Sequence, residues 1–202
     1  MSRPLVVACG ALVAELRAVL AADGLTDAVD VRYLPAPLHN RPERIVPALR
    51  ELLATELAGD PDRPVLVGYA DCGTGGGLDA LLAEMPNLHR RPGDHCYEFF
   101  AGSDRFHAMH DDEPGTFYLT DFLAKHFDAL VWGALGLDRH PELLPMYFGN
   151  YTRVVLFSQS DDPAVVAAGR AGADRLGLAF EHHHVGLANF ERAVTVELRR
   201  VA

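Results

Sequence analysis

The stretch that most constrains this chain is residues 65–84, VLVGYADCGTGGGLDALLAE, where an apolar run leads to Cys72, meets a glycine-rich turn and passes into an amphipathic pattern. A short, uninterrupted apolar run reads as a strand buried on both faces, and parallel sheets are built from such strands. Leu78, Leu81, Leu82 and Met85 then recur at helical spacing and form one stripe for a core. Strand, tight turn and helix together deliver Cys72 to the carboxyl end of a strand. Gly73, Gly75, Gly76 and Gly77 there let the backbone approach a ligand closely.

The same grammar recurs along the chain. Residues 4–9 (PLVVAC) end at Cys9-Gly10, and Leu12, Val13, Leu16, Val19 and Leu20 follow at helical spacing. Residues 28–34 read as a second strand. Asn40 is placed to cap the next helix, whose apolar face is Ile45, Val46, Leu49, Leu52, Leu53 and Leu57; Pro47 inside it predicts a kink or a later start. Residues 88–90 form a short strand, and a helix starting near Asp94 carries His95, Cys96, Phe99 and Phe100. Beyond the turn at Pro114-Gly115, residues 116–119 are extended, and Thr120 caps a helix over 121–131. Residues 133–150 hold Pro141, Pro145 and Gly149 with enough large apolar residues for a short packed helix. A strand at 153–157, a helix started by Asp161-Asp162-Pro163, a strand at 178–182 and a final helix complete the pattern.

Strands alternating with helices predict an α/β fold: an open, mostly parallel sheet with helices on both faces, Rossmann-like and three-layered. With 202 residues, 49% of them apolar, the chain suits a single α/β domain spanning residues 1–202. No apolar stretch approaches the ~20 residues of a membrane span and no leader pattern opens the sequence, so a soluble, cytoplasmic protein is expected. A formal charge of -10 disfavours nucleic-acid and anionic-membrane partners.

The cysteines are Cys9, Cys72 and Cys96, an odd number spread too widely for a secreted disulfide framework. Two follow strands and precede glycines, and the third sits near a helix start, where a thiol tends toward the thiolate. Ligands of open parallel sheets bind at the carboxyl ends of the strands, so the three thiols have a common place to meet. They can equally be small buried apolar residues. As ligands they suit a zinc ion, with His39 or His95 filling a fourth position, or a [4Fe-4S] cluster with one open iron. Without metal, Cys72 activated by His95 is a candidate nucleophile. The turn Gly73, Thr74, Gly75 and Gly76 offers backbone N–H groups to an anionic or polar group of a small-molecule substrate, although it matches neither a P-loop nor GxGxxG. His182 and His184 of the triplet at 182–184 share one face of an extended segment, and His107 and His110 share a helix face; both pairs also fit a solvated surface.

ACG at 8–10, LHN at 38–40, YADCGTGGGLD at 69–79, HCYEFFAG at 95–102, PGTFYLTDFLAKHFD at 114–128 and LGLDRHPEL at 135–143 together resemble the family known as domain of unknown function 1638. The resemblance covers nearly the whole chain, and it implies Cys9, His39, Cys72, His95 and Cys96 as a shared site. It further implies a role in corrinoid-linked one-carbon metabolism, as a methyltransferase-related enzyme or as a non-catalytic, metal-carrying partner of a corrinoid protein. Tyr97, after the third cysteine, stands where many relatives have isoleucine.

Overall fold

In the computed structural model, which describes residues 2–201, the chain divides into two compact units. One holds the chain up to Phe99 together with the segment from Asn189 onward; the other is Phe100–Ala188. The elements run β1 (Leu5–Cys9), α1 (Val13–Ala22), β2 (Asp30–Leu34), α2 (Ile45–Glu56), β3 (Val65–Gly68), α3 (Gly77–Glu84), β4 (Leu88–Arg90) and α4 (Tyr97–Ala101). They continue with α5 (Ser103–Asp112), β5 (Thr116–Leu119), α6 (Asp121–Lys125), α7 (Leu144–Phe148), β6 (Arg153–Ser158), α8 (Pro163–Leu176), β7 (Ala179–His184) and α9 (Ala188–Val201). Among the described residues, no helix is long and apolar enough to cross a membrane.

The first unit carries a parallel sheet of order β2-β1-β3-β4. Alternation along the strands sends Leu5, Val7, Val65 and Val67 to one face, where Ile45, Leu49 and Leu53 of α2 and Leu78 and Leu81 of α3 close over them. Val6, Ala8 and Leu66 point to the other face, where Leu16 of α1 and Phe190 and Ala193 of α9 surround a small apolar cavity. Strands covered on both sides carry no polar alternation, which is why β1 and β3 are continuous apolar runs.

The second unit has its own parallel sheet, β5-β6-β7. Helix α8 lies on one face so closely that a Cβ added at Gly169 would stand 3.0 Å from Leu156 Cδ2 and 3.2 Å from Phe180 Cε2. On the other face Tyr118 packs between Phe106 of α5, at 5.1 Å between ring centroids, and Phe157 of β6, at 5.5 Å.

The α/β class, the parallel strands and the helices on both faces are therefore as the sequence predicts, with the strands shared between two sheets where one was expected. Asn40 caps no α-helix: residues 36–40 and 42–44 form 3-10 turns, and α2 starts later, at Ile45. Pro47 then falls in its first turn, where a missing N–H has no helical partner to lose. Thr120 does cap α6, its Oγ1 accepting from Leu123 N at 3.4 Å, but that helix stops at Lys125 and a π turn over Asp128–Trp132 follows. Strand β7 runs on to His184, so the histidine triplet belongs to the strand itself.

Candidate functional site

Cys9 ends β1, Cys72 lies four residues beyond β3 and Cys96 directly precedes α4, so all three occupy the carboxyl edge of the first sheet. Two backbone hydrogen bonds tie the loops after β3 and β4 together, Asp71 N to Gly93 O at 2.8 Å and Cys72 N to Asp94 O at 2.9 Å. They set Cys96 against Cys72, and the two thiols are hydrogen-bonded. Glu98 holds the incoming segment by accepting from Asp94 N at 2.7 Å and His95 N at 3.1 Å. Cys9 completes the group: its Sγ accepts from Ala11 N at 3.4 Å, and it packs with Cys72 against the same apolar cluster.

Gly10 explains how His39 reaches the same edge. A Cβ there would stand 2.9 Å from Leu34 O and 3.0 Å from Ala36 N, so only glycine lets the chain leaving β2 pass this close to the end of β1. That chain forms the turn Ala36–Asn40, which carries His39. Burial, and then the charge of His95, hold the His39 imidazole below its ordinary range, leaving it neutral near pH 7 and ready to accept or to ligate.

The thiols differ in character. Cys72 is held below the usual thiol range, first by the hydrogen bond from the Cys96 thiol, against a burial penalty, and further by backbone hydrogen bonds at Cys96 and Ala70. Its partner Cys96 is pushed well up by the same hydrogen bond and by burial, and burial raises Cys9. The buried hydroxyl of Tyr69 faces this group without a hydrogen bond of ordinary geometry; burial, then Cys9, push its pKa far up. Among the described residues, no three ligand atoms of Cys9, Cys72, Cys96, His39 and His95 stand within 4.8 Å of one another, so a shared ion requires a side-chain rotation.

Cys72 is also the one non-glycine with positive φ among the described residues, at 50°, and Gly73 follows at 82°. That conformation costs an L-residue about 1–2 kcal/mol, and such strain concentrates at functional positions. The glycine turn behind it is filled from within. Asp71 accepts from Thr74 Oγ1 at 2.6 Å, Gly76 N at 2.9 Å and Gly75 N at 3.0 Å. The N–H groups of Gly75 and Gly76 and the Thr74 hydroxyl, which sequence spacing offers to a substrate anion, are thus engaged by a carboxylate of the chain itself. Gly73 packs against Pro42, 3.4 Å from an added Cβ. An aspartate four and five residues before glycines is an Asx-type ligand for their N–H groups, and Tyr69 is the site residue that sequence reading passes over.

The histidine pairs lie in the second unit. His107 and His110 are on α5 beside Phe106, with His110 stacked on its ring at 6.1 Å. His182 and His184 face Ser158 of β6, whereas His183 points the other way, toward Arg105 at 2.9 Å and Glu181 at 3.6 Å.

A family model described as "Protein of unknown function (DUF1638)" matches residues 33–194. The chain belongs to this family. No curated protein and no solved structure matches it. The DUF1638 match takes in His39, Cys72, His95 and Cys96 and begins after Cys9, so four of the five clustered residues lie within the family's own span.

Proposed function

We propose that this DUF1638 chain holds a metal at Cys9, Cys72 and Cys96 and acts as an enzyme of one-carbon metabolism on a small-molecule substrate. The observation that supports it is the gathering of three free thiols from three separate chain segments at one sheet edge, with that of Cys72 held below the usual thiol range. The donor set fits a soft-to-borderline metal: sulfur ligands suit zinc or an iron–sulfur cluster, and His39 or His95 supplies a nitrogen. When bound, zinc would keep a substrate thiol as the thiolate that methyl transfer to sulfur requires. The chain's own part is to place the sulfurs, through the paired loops after β3 and β4, and to seal the site with Tyr69. The link to corrinoid proteins or methyltransferases as partners rests on the family resemblance.

A second reading has an observation of its own. The lowered pKa of Cys72, its strained backbone and the spacing of the sulfurs also suit a metal-free nucleophile with Cys96 as hydrogen-bond donor. Elemental analysis and visible spectra of anaerobically purified protein separate the readings. Zinc near one equivalent, lost in Cys9→Ala, Cys72→Ala and Cys96→Ala tested singly, supports the metal site; a brown colour with acid-labile sulfide selects the cluster. Metal-free protein with one fast-alkylating cysteine selects the nucleophile.

A further inference from the structure

At the carboxyl edge of the second unit's sheet, two imidazoles converge on one buried hydroxyl. His182 and His184 sit two residues apart on the same face of β7, in parallel register with Leu156 and Ser158 of β6. Ser158 Oγ lies 2.9 Å from His182 Nε2 and 3.2 Å from His184 Nδ1, in a residue with 0% exposure. A hydroxyl has one proton, so it can donate to only one of these nitrogens and must accept N–H from the other. Beyond that contact both histidines are exposed, so an ion in solvent can reach them.

The surroundings hold this arrangement and give it a sign. Val185 N and Gly186 N both donate to Ser158 O, at 2.9 and 3.2 Å, which folds the chain leaving β7 over the end of β6. Asp121, at the start of α6, accepts from Gln159 N at 2.8 Å and Ser160 N at 3.0 Å and fixes the loop that follows β6. That loop presents Asp161, whose Oδ1 is 3.5 Å from His184 Nδ1 and whose side chain is 95% exposed. Lys125, which also lies at this edge, is already paired with Asp162 at 3.4 Å. Two imidazoles and an exposed carboxylate suit a cation better than an anion.

We propose that His182 Nε2, His184 Nδ1 and the Asp161 carboxylate, whose ligand atoms do not all stand within 4.8 Å of one another, close by side-chain rotation into a binding site for a divalent transition-metal ion of the zinc type, with Ser158 as its floor. Two imidazoles and one carboxylate are a sufficient protein set for such an ion and leave a position for water or substrate. The ion replaces the shared hydroxyl hydrogen bonds, both imidazoles being neutral when it binds. The site stands apart from the cysteines in sequence and draws on none of their residues, so it holds or fails independently of the thiol site.

Imidazole-region proton–nitrogen NMR of the full chain, titrated with zinc sulfate, tests this because each histidine is read separately. Saturable shifts at His182 Nε2 and His184 Nδ1, retained in Cys72→Ser and centred on the metallated nitrogens, are the expected result. His184→Ala should weaken zinc binding at His182 by more than the about 10–100-fold that loss of an outer hydrogen-bond partner costs, and Asp161→Asn should weaken it measurably. Unmoved His182 and His184 resonances in the wild-type chain under excess zinc, or an unchanged His182 response in His184→Ala, would overturn the proposal. The wild-type titration decides the matter even if the variants fold poorly.

Discussion

Replacing Cys72 by glycine and by alanine should separate the backbone at this position from its sulfur. Both changes remove the thiol, its hydrogen bond with Cys96 and its packing, so those losses cancel when the variants are compared with each other. What remains is the φ of 50° at Cys72. Alanine keeps the left-handed penalty, about 1–2 kcal/mol, whereas glycine escapes it and gives back ~0.5–1 kcal/mol through the greater freedom of its unfolded chain. Glycine should therefore be the more stable variant by about 0.5–1 kcal/mol, or ~1–4 °C in melting temperature for a chain of this size. Urea unfolding monitored by circular dichroism, with the slope checked for constancy between variants, reads the difference directly. An alanine variant as stable as the glycine variant, or more so, would refute the idea that strain is stored under the sulfur.

Alkylation by iodoacetamide should mark Cys72 first at neutral pH, and Cys96→Ala should slow it by raising the Cys72 pKa, as mass spectrometry of timed digests would show. Asp71→Ala should cost ~1–2 kcal/mol, less than its charged hydrogen bonds would give if buried, because the turn is partly solvated. Hydrogen bonds from Thr74, Gly76 and Gly75 outweigh burial and hold Asp71 below its usual range, so its stabilisation is present above about pH 4 and lost as pH falls through the lowered value. The stability difference between wild type and Asp71→Asn should shrink correspondingly in acid urea titrations. Gly172→Ala puts a Cβ 3.0 Å from Phe127 Cδ2 and Cε2, which should cost about 1–3 kcal/mol of overpacking; a neutral melting temperature would argue against that contact.

Much of this architecture is legible in the sequence because burial on both faces leaves a one-dimensional trace. The apolar runs of β1, β3 and β6 are continuous, and two of them lead to a cysteine followed by glycine, enough to place Cys9 and Cys72 at one edge. Cys96 leaves a fainter trace: its approach depends on Asp71 and Cys72 bonding to Gly93 and Asp94, a pairing between loops that no periodicity records. The division into two units left no trace either, because composition does not change at Phe99 or Asn189. The glycine turn misleads for a local reason, since an aspartate a few residues earlier satisfies it and spacing alone cannot tell an internal carboxylate from a ligand's. Ser158 is invisible in sequence, being one serine at the end of an apolar strand, and it gives the histidines after it a shared partner.

The first unit is interrupted in the chain, and this sets an order on its birth. Its sheet is complete once Arg90 has been made, yet one face waits for Phe190 and Ala193 of α9, which are translated only after the whole of the second unit. At ~5–20 residues per second the delay is on the order of ten seconds. Through that interval Val6, Ala8 and Leu66 lack their last cover on the nascent chain, while the second unit, being continuous, can finish first. Truncation or slow synthesis near the end of the chain should therefore harm a sheet whose strands were all made in its first half.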